Sequence, residues 1–256
     1  MQEILIDTAA GVTTLTINRV DKKNSFTGAM YSAMADALEQ AEKDNAVRVV
    51  VIQGHVTVFS AGNDIADFLN APSLAPGTPA FRFLHGISTF PKPLLAAVCG
   101  PAVGVGTTML LHCDLVYAGD NAAFSMPFVN LGLCPEAASS YLAPQLMGYG
   151  RAAEALLLGE PFMAEAALEM GLISRIVPPS EVAALTQRQA QKLAAKPFGA
   201  VLETKRLLKK GQASIVAERL SEEMSSFGRM LGEPAAREAF AAFMEKRKPD
   251  FSKIDA

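Results

Sequence analysis

Short apolar runs set the strongest limit on what this chain can become. Arg48-Val-Val-Val-Ile-Gln53 and Leu94-Leu-Ala-Ala-Val98 carry no alternating polar face at their centres, and they read as strands buried inside a sheet. Helical patterns separate the strands. Met30, Met34, Ala37, Leu38 and Ala41 recur at helical spacing across Thr27–Lys43, and another helix is expected near Phe81–Phe90. A third strand, Asp114-Leu-Val-Tyr117, follows a small-residue helix opening near Gly104. At the start, Ile4–Ile17 reads as two strands joined at Ala10-Gly11. Strands alternating with helices point to an α/β core rather than a sandwich.

From Glu136 onward helices dominate. They are expected over Glu136–Met147, Arg151–Leu158, Ala164–Met170, Glu181–Ala195, Val201–Lys210 and Ile215–Lys246, with Leu172–Val177 as the exception. A soft boundary near Pro197 divides an α/β part, residues 1–196, from a helical part, residues 197–256. The Pro-rich stretch Ala71–Pro79 is the candidate mobile loop, and such loops often border sites.

Composition narrows the class further. Half of the 256 residues are hydrophobic and 19% are charged, which excludes a disordered chain and suits a deep core with a subunit interface. A net charge of −3 leaves no general basic excess for nucleic acid. No stretch approaches the ~18 apolar residues of a membrane span, and the Met-Gln-Glu-Ile-Leu start is no signal peptide. The cysteines are three, Cys99, Cys113 and Cys134, without a C-x-x-C pair. That count argues against a disulfide or metal framework and fits a reducing compartment, so a cytoplasmic location is expected.

Three features could carry chemistry. Gly100-Pro-Ala-Val-Gly104-Val-Gly106 follows a strand and opens a helix, but Met109 occupies the third glycine position of a dinucleotide fingerprint. Two readings stay open: a tight turn with close helix packing, or backbone N–H groups presented to a developing oxyanion. Phe59-Ser-Ala-Gly62-Asn63-Asp64-Ile65 is a second strand–turn–helix element in which Asp64 reads as a helix N-cap. Two such elements are the minimum for a two-donor oxyanion hole. Glu136 is the sole charged or histidine residue between Asn121 and Gly150. It is either a first-turn acid after Pro135 or a desolvated general base. The histidines, His55, His85 and His112, are too scattered for a metal site, and His112 reads as a packed core residue. Lys205-Arg206 with Lys209-Lys210 reads as a solvated helix face. The tail Phe240–Pro249 mixes aromatic and basic residues, as either a phosphate-holding segment or a cation-rich helix end.

Taken in order, Asn18-Arg19 with Asn24-Ser25, Phe59–Ile65, Ala96–Gly104, Cys113–Ala118 and Phe243–Lys248 resemble the crotonase superfamily of enoyl-CoA hydratases and isomerases. The resemblance implies a crotonase-like spiral of ββα turns with a C-terminal helical trimerisation region, as a homotrimer or dimer of trimers. It also implies an enoyl-CoA thioester substrate, with coenzyme A part of that substrate and no separate cofactor or metal. The thioester carbonyl would receive backbone N–H bonds from Asn63 and Val105. Ala61, Asp64 and Ile65 would line the adenine and pantetheine channel, and Lys22 and Lys23 lie where relatives touch coenzyme A. Phe243 and Lys246 match positions that reach a neighbouring subunit's coenzyme A.

The two glutamates of typical hydratases in this family are replaced here by Thr108 and Phe128. By contrast, Pro127–Tyr141 resembles the Δ3,Δ2-enoyl-CoA isomerase branch, whose single catalytic glutamate matches Glu136. The implied reaction moves the double bond of a 3-enoyl-CoA into conjugation. The alternatives are hydration by a rearranged site and a non-catalytic acyl-CoA-binding protein.

Overall fold

In the computed structural model, which describes residues 2–70, 77–252 and 254, the apolar runs form the middle of a sheet. The strands are β1 (Ile4–Ala9), β2 (Val12–Ile17), β3 (Val49–Gln53), β4 (Leu94–Val98), β5 (Pro101–Val103), β6 (Leu115–Gly119), β7 (Ala123–Ser125), β8 (Phe162–Met163) and β9 (Arg175–Val177). The larger sheet runs β1-β2-β3-β4-β6-β9, antiparallel between β1 and β2 and parallel thereafter. Val50, Ile52, Leu94 and Ala96 point into the main core, with the helices Gly28–Lys43 and Pro79–Thr89. Val49, Val51 and Leu95 point the other way, onto the helix Pro179–Ala194 through Val182, Leu185 and Ala190. Helices cover both faces, which is why the runs lack a polar alternation.

Each turn of the chain also leaves a short strand in a second sheet, ordered β5-β7-β8. β4 is followed at once by β5, and β6 by β7. An earlier turn joins the same stack through a parallel bridge between Ser60 and Ala102. The result is an α/β spiral of ββα turns. Backbone bonds tie successive turns together, among them Ser60 N–H to the Pro101 carbonyl (3.0 Å) and Val103 N–H to the Ser60 carbonyl (2.9 Å). Asn24 fastens the lower turn, donating to the Val58 and Phe59 carbonyls at 3.2 and 3.1 Å. No helix among the described residues is long and apolar enough to cross a membrane.

Several expectations need correction. β5, β7 and β8 span only two or three residues each and show no period of their own in sequence. The expected helix from Glu136 starts at Ser139, because Ala137 and Ala138 adopt left-handed backbone (φ +60° and +56°). Ile215–Lys246 is two helices, Ala213–Leu231 and Pro234–Met244, with Pro234 in the first turn of the second. Arg151–Leu158 divides into the helix Tyr149–Ala153 and a π-helical turn Glu154–Leu158. Lys205 is not solvated: it is 7% exposed and donates to Asp114 (2.7 Å) and to the Lys92 carbonyl (2.6 Å). Of the expected mobile loop Ala71–Pro79, residues 71–76 lie outside the described residues, and Pro79 opens a helix.

Gly100 shows how tightly the turns are stacked. It has φ +65°, and a Cβ there would stand 2.1 Å from the Thr57 carbonyl oxygen. Gly100→Ala combines left-handed strain with a backbone collision, and a loss of about 3 kcal/mol is expected. Urea denaturation measures it; an unchanged midpoint would mean that the two turns separate freely.

Candidate active site

The spiral explains why two distant loops meet. Ser60 pairs with Ala102, so equal steps along the two turns bring Asn63 and Val105 to corresponding positions, three residues beyond the bridge. Gly62 allows the close approach, with φ +85° and a virtual Cβ 2.9 Å from the Val103 carbonyl. Asn63 is bracketed by bonds to Phe26: the Gly62 carbonyl accepts from Phe26 N–H, and Asp64 N–H donates to the Phe26 carbonyl, each at 2.8 Å. That parallel pairing directs the Asn63 N–H to the opposite side. Among the described residues, neither the Asn63 nor the Val105 N–H has a protein acceptor. Both residues line a cleft of about 70 Å³ walled by Ile65, Phe128, Leu133, Phe227 and Phe240. The third turn, paired through Phe124 to Ala102, places Pro127 at the corresponding position on the cleft wall. Proline has no N–H, so the stack presents two donors.

Glu136 is 4% exposed and does not itself line this cleft. Its Oε1 accepts a hydrogen bond from the Thr108 hydroxyl, three residues beyond Val105. Burial pushes its carboxyl up to about 8, opposed by the Thr108 bond and reinforced by the negative charge of Glu223. The other donor loop is linked to the same region through Tyr31, whose hydroxyl donates to Asn63 Oδ1 at 2.5 Å. Burial, and then the nearby Glu136 carboxylate, push the Tyr31 phenol well above its ordinary range. A fixed pair of amide donors and a desolvated carboxyl titrating near neutrality can stabilise an enolate-type oxygen and move a proton.

The residues singled out from the sequence divide into two groups. Ala61, Asn63, Ile65 and Val105 line one cleft, and Glu136 bonds to Thr108. Asp64 stands beside them with both oxygens engaged: Oδ1 caps the helix Ile65–Asn70 through Ala66 and Asp67 N–H, and Oδ2 pairs with Arg19 at 2.7 Å. Burial raises its carboxyl, but the Arg19 bond and charge, together with the capping N–H groups, hold it below the ordinary range. Lys23 meets the site through its backbone, its carbonyl accepting from Ala61 N–H at 2.9 Å; the Lys22 and Lys23 side chains are exposed. Phe243, near the end of the last helix, and Lys246, two residues beyond it, are exposed and do not line this cleft, although Phe240, one turn before Phe243, does. His112 is packed as expected, with Nε2 against the Ala137 carbonyl at 2.8 Å, and burial drives it down to about 4.

Sequence reasoning missed Tyr31 and Glu223. Tyr31 lies within the buried helical stripe of Gly28–Lys43, and its hydroxyl gives no periodic signal. Glu223 did leave one. It falls on the stripe Val216, Leu220, Met224 and Phe227, where a charged residue breaks the apolar pattern.

The comparisons with known proteins agree with this architecture. Residues 7–254 match the enoyl-CoA hydratase/isomerase family model. The chain is 34% identical to 1,2-epoxyphenylacetyl-CoA isomerase of Escherichia coli strain K12, covering 98% of this chain and 99% of that protein. It is 37% identical to enoyl-CoA delta isomerase 2 of Rattus norvegicus over 82% of its own length, spanning 55% of that relative. Among solved structures, an enoyl-CoA hydratase/isomerase from Pseudoalteromonas atlantica T6c superposes with a TM-score of 0.93 at 37% identity, over 98% of this chain and all of that one. The chain belongs to the enoyl-CoA hydratase/isomerase family, within the crotonase superfamily.

Burial of Glu136 has a pH signature. The folded carboxyl keeps its proton up to about pH 8, whereas the ordinary value is 4.5. Between those limits the unfolded chain holds fewer protons, so stability falls as pH rises from about 4.5 to about 8. Glu136→Gln removes the penalty, and its expected gain over wild type at pH 8 is at most on the order of 5 kcal/mol, vanishing near pH 4. Urea midpoints at both pH values test this; equal midpoints at pH 8 would show that Glu136 ionises freely in the fold.

Proposed function

We propose that this family member is a Δ3,Δ2-enoyl-CoA isomerase in which Glu136 is the sole base. The observation that carries the reading is one desolvated carboxyl bonded to Thr108, three residues beyond Val105, with the Asn63 and Val105 amides lacking protein acceptors. The thioester oxygen receives the Asn63 and Val105 N–H groups. Glu136 takes a proton from C2 of a 3-enoyl-CoA, the electron pair moves into the thioester to form a dienolate, and the same carboxyl returns the proton at C4. The product is the conjugated trans-2-enoyl-CoA. The paired donors supply on the order of 3 kcal/mol each to the dienolate, by analogy with acyl transfer. A carboxyl near 8 is well matched to proton transfer at neutral pH.

Water addition is less well supported. Asp64 is held by Arg19 and its capping bonds, and Glu223 by backbone amides, which leaves neither carboxylate free to orient a nucleophile. Thr108 and Phe128 stand where the resembling hydratases carry glutamates.

On this reading Ala61, Asp64 and Ile65 border the coenzyme A channel, with Lys22 and Lys23 as exposed cations near its entrance. Phe243 and Lys246 act on a neighbouring subunit's ligand. Self-association is supported by large apolar residues left in solvent, among them Tyr149 (78% exposed), Leu157 (66%) and Phe243 (59%).

The purified protein is expected to raise conjugated-thioester absorbance from a 3-enoyl-CoA, with little 3-hydroxyacyl-CoA by chromatography. Rapid hydration of a 2-enoyl-CoA without any double-bond shift would sink the isomerase reading. Glu136→Gln is expected to lower turnover at least ~10²-fold while retaining acyl-CoA binding. Sedimentation is expected to give a trimer or a multiple of it; an active, stable monomer would remove the intersubunit role of Phe243 and Lys246.

A further inference from the structure

The turn that follows Glu136 is held in an unfavourable shape. Ala137 and Ala138 are consecutive non-glycine residues with φ +60° and +56°, a conformation that costs about 1–2 kcal/mol per residue. Something must compensate, and the compensation comes from far along the chain. Glu223, on the helix Ala213–Leu231, is 5% exposed. Its Oε2 accepts from Ala138 N–H at 2.6 Å and its Oε1 from Ser140 N–H at 2.8 Å. Both carboxylate oxygens therefore clasp the turn in charge-assisted bonds. His112 closes it from the other side through the Ala137 carbonyl.

We propose that Glu223 is a positioning residue: its carboxylate clamps the Ala137–Ser140 turn and thereby holds Glu136 against Thr108. This rests on the reading of Glu136 as the base. Glu223 acts through the backbone and touches no reacting atom. Phe227, one helical turn further on, lines the cleft and packs edge-on against Phe128. One helix face therefore both walls the cleft and fixes the base. Glu223 also adds a negative charge beside Glu136. The other titratable or charged groups facing this pair are Tyr31, His112, Cys134 and Arg219.

Glu223→Gln tests the clamp, because an amide NH2 cannot accept from a backbone N–H and one of the two bonds is lost. Turnover is expected to fall about 10–100-fold, the scale of a misplaced catalytic group, with KM within about twofold. The acid limb of the pH profile is expected to move to lower pH, because the neighbouring negative charge is gone. Looser packing would admit water and lower the Glu136 carboxyl in the same direction, so the fall in turnover at nearly constant KM, rather than the limb, distinguishes the clamp. Carbon-13 NMR of glutamate side chains, with the Glu136 signal assigned through Glu136→Gln, reads the same downward shift without activity. Unchanged turnover in folded Glu223→Gln would overturn the proposal even if the Glu136 titration moves, because the lost charge shifts that titration with or without a clamp.

Should Glu223→Gln fold poorly, the comparison moves to an Ala138→Gly background, where glycine relieves the left-handed strain. A drop in turnover from Ala138→Gly to the double variant supports the clamp, and equal turnover overturns it. Full turnover in Glu136→Gln alone would overturn the base reading instead, while the NMR titration would still report whether the Glu223 charge bears on Glu136.

Discussion

The parallel bridge between Ser60 and Ala102 is the contact on which the site depends. It sets two turns of the spiral in register, so that an amide three residues beyond each partner arrives at the same wall. The Asn24 amide and the Ser60 hydroxyl brace the turn from within. What also matters is the absence of side chains at Gly62, where a Cβ would press on the Val103 carbonyl, and at Gly100, where it would press on that of Thr57. The glycine run is therefore both a packing device and the means of presenting free donors. The tight turn with close packing is observed, and the same turn leaves the Val105 N–H without a protein acceptor among the described residues.

A second tension surrounds Glu136. Burial opposes its charge, the Thr108 hydroxyl favours it, and the Glu223 carboxylate opposes it again. A fully solvated glutamate would be ionised but a weak base, whereas one buried without the Thr108 donor would hold its proton to still higher pH. The turn that holds this residue in place is itself strained at Ala137 and Ala138 and depends on a carboxylate from the helical part of the chain. Glu136 and Glu223 lie far apart in sequence, yet they meet because the helix Ala213–Leu231 packs against this part of the core, with Phe227 on the cleft wall.

Much of the fold is legible without coordinates, for definite reasons. The central strands β3 and β4 announce themselves because both faces are covered, so every position must be apolar. The helix Gly28–Lys43 shows through its 3.6-residue stripe and its Thr27 cap. β5, β7 and β8 stay silent because two or three residues cannot display a period. The inward turn of Lys205 is hidden for a different reason: its partners, Asp114 and the Lys92 carbonyl, come from remote elements.

The sequence by itself determined the alternation of buried strands and helices, the glycine turns, and the isolation of Glu136 in an apolar segment, because each is written in local pattern. Tertiary structure alone decided that Asn63 and Val105 share a wall, that Asp64 is taken by Arg19, and that Tyr31, Thr108 and Glu223 lie about Glu136. These are pairings between residues 28 to 85 positions apart or on different turns of the spiral. Local periodicity carries no information about such pairings, because they are fixed by strand register and helix packing.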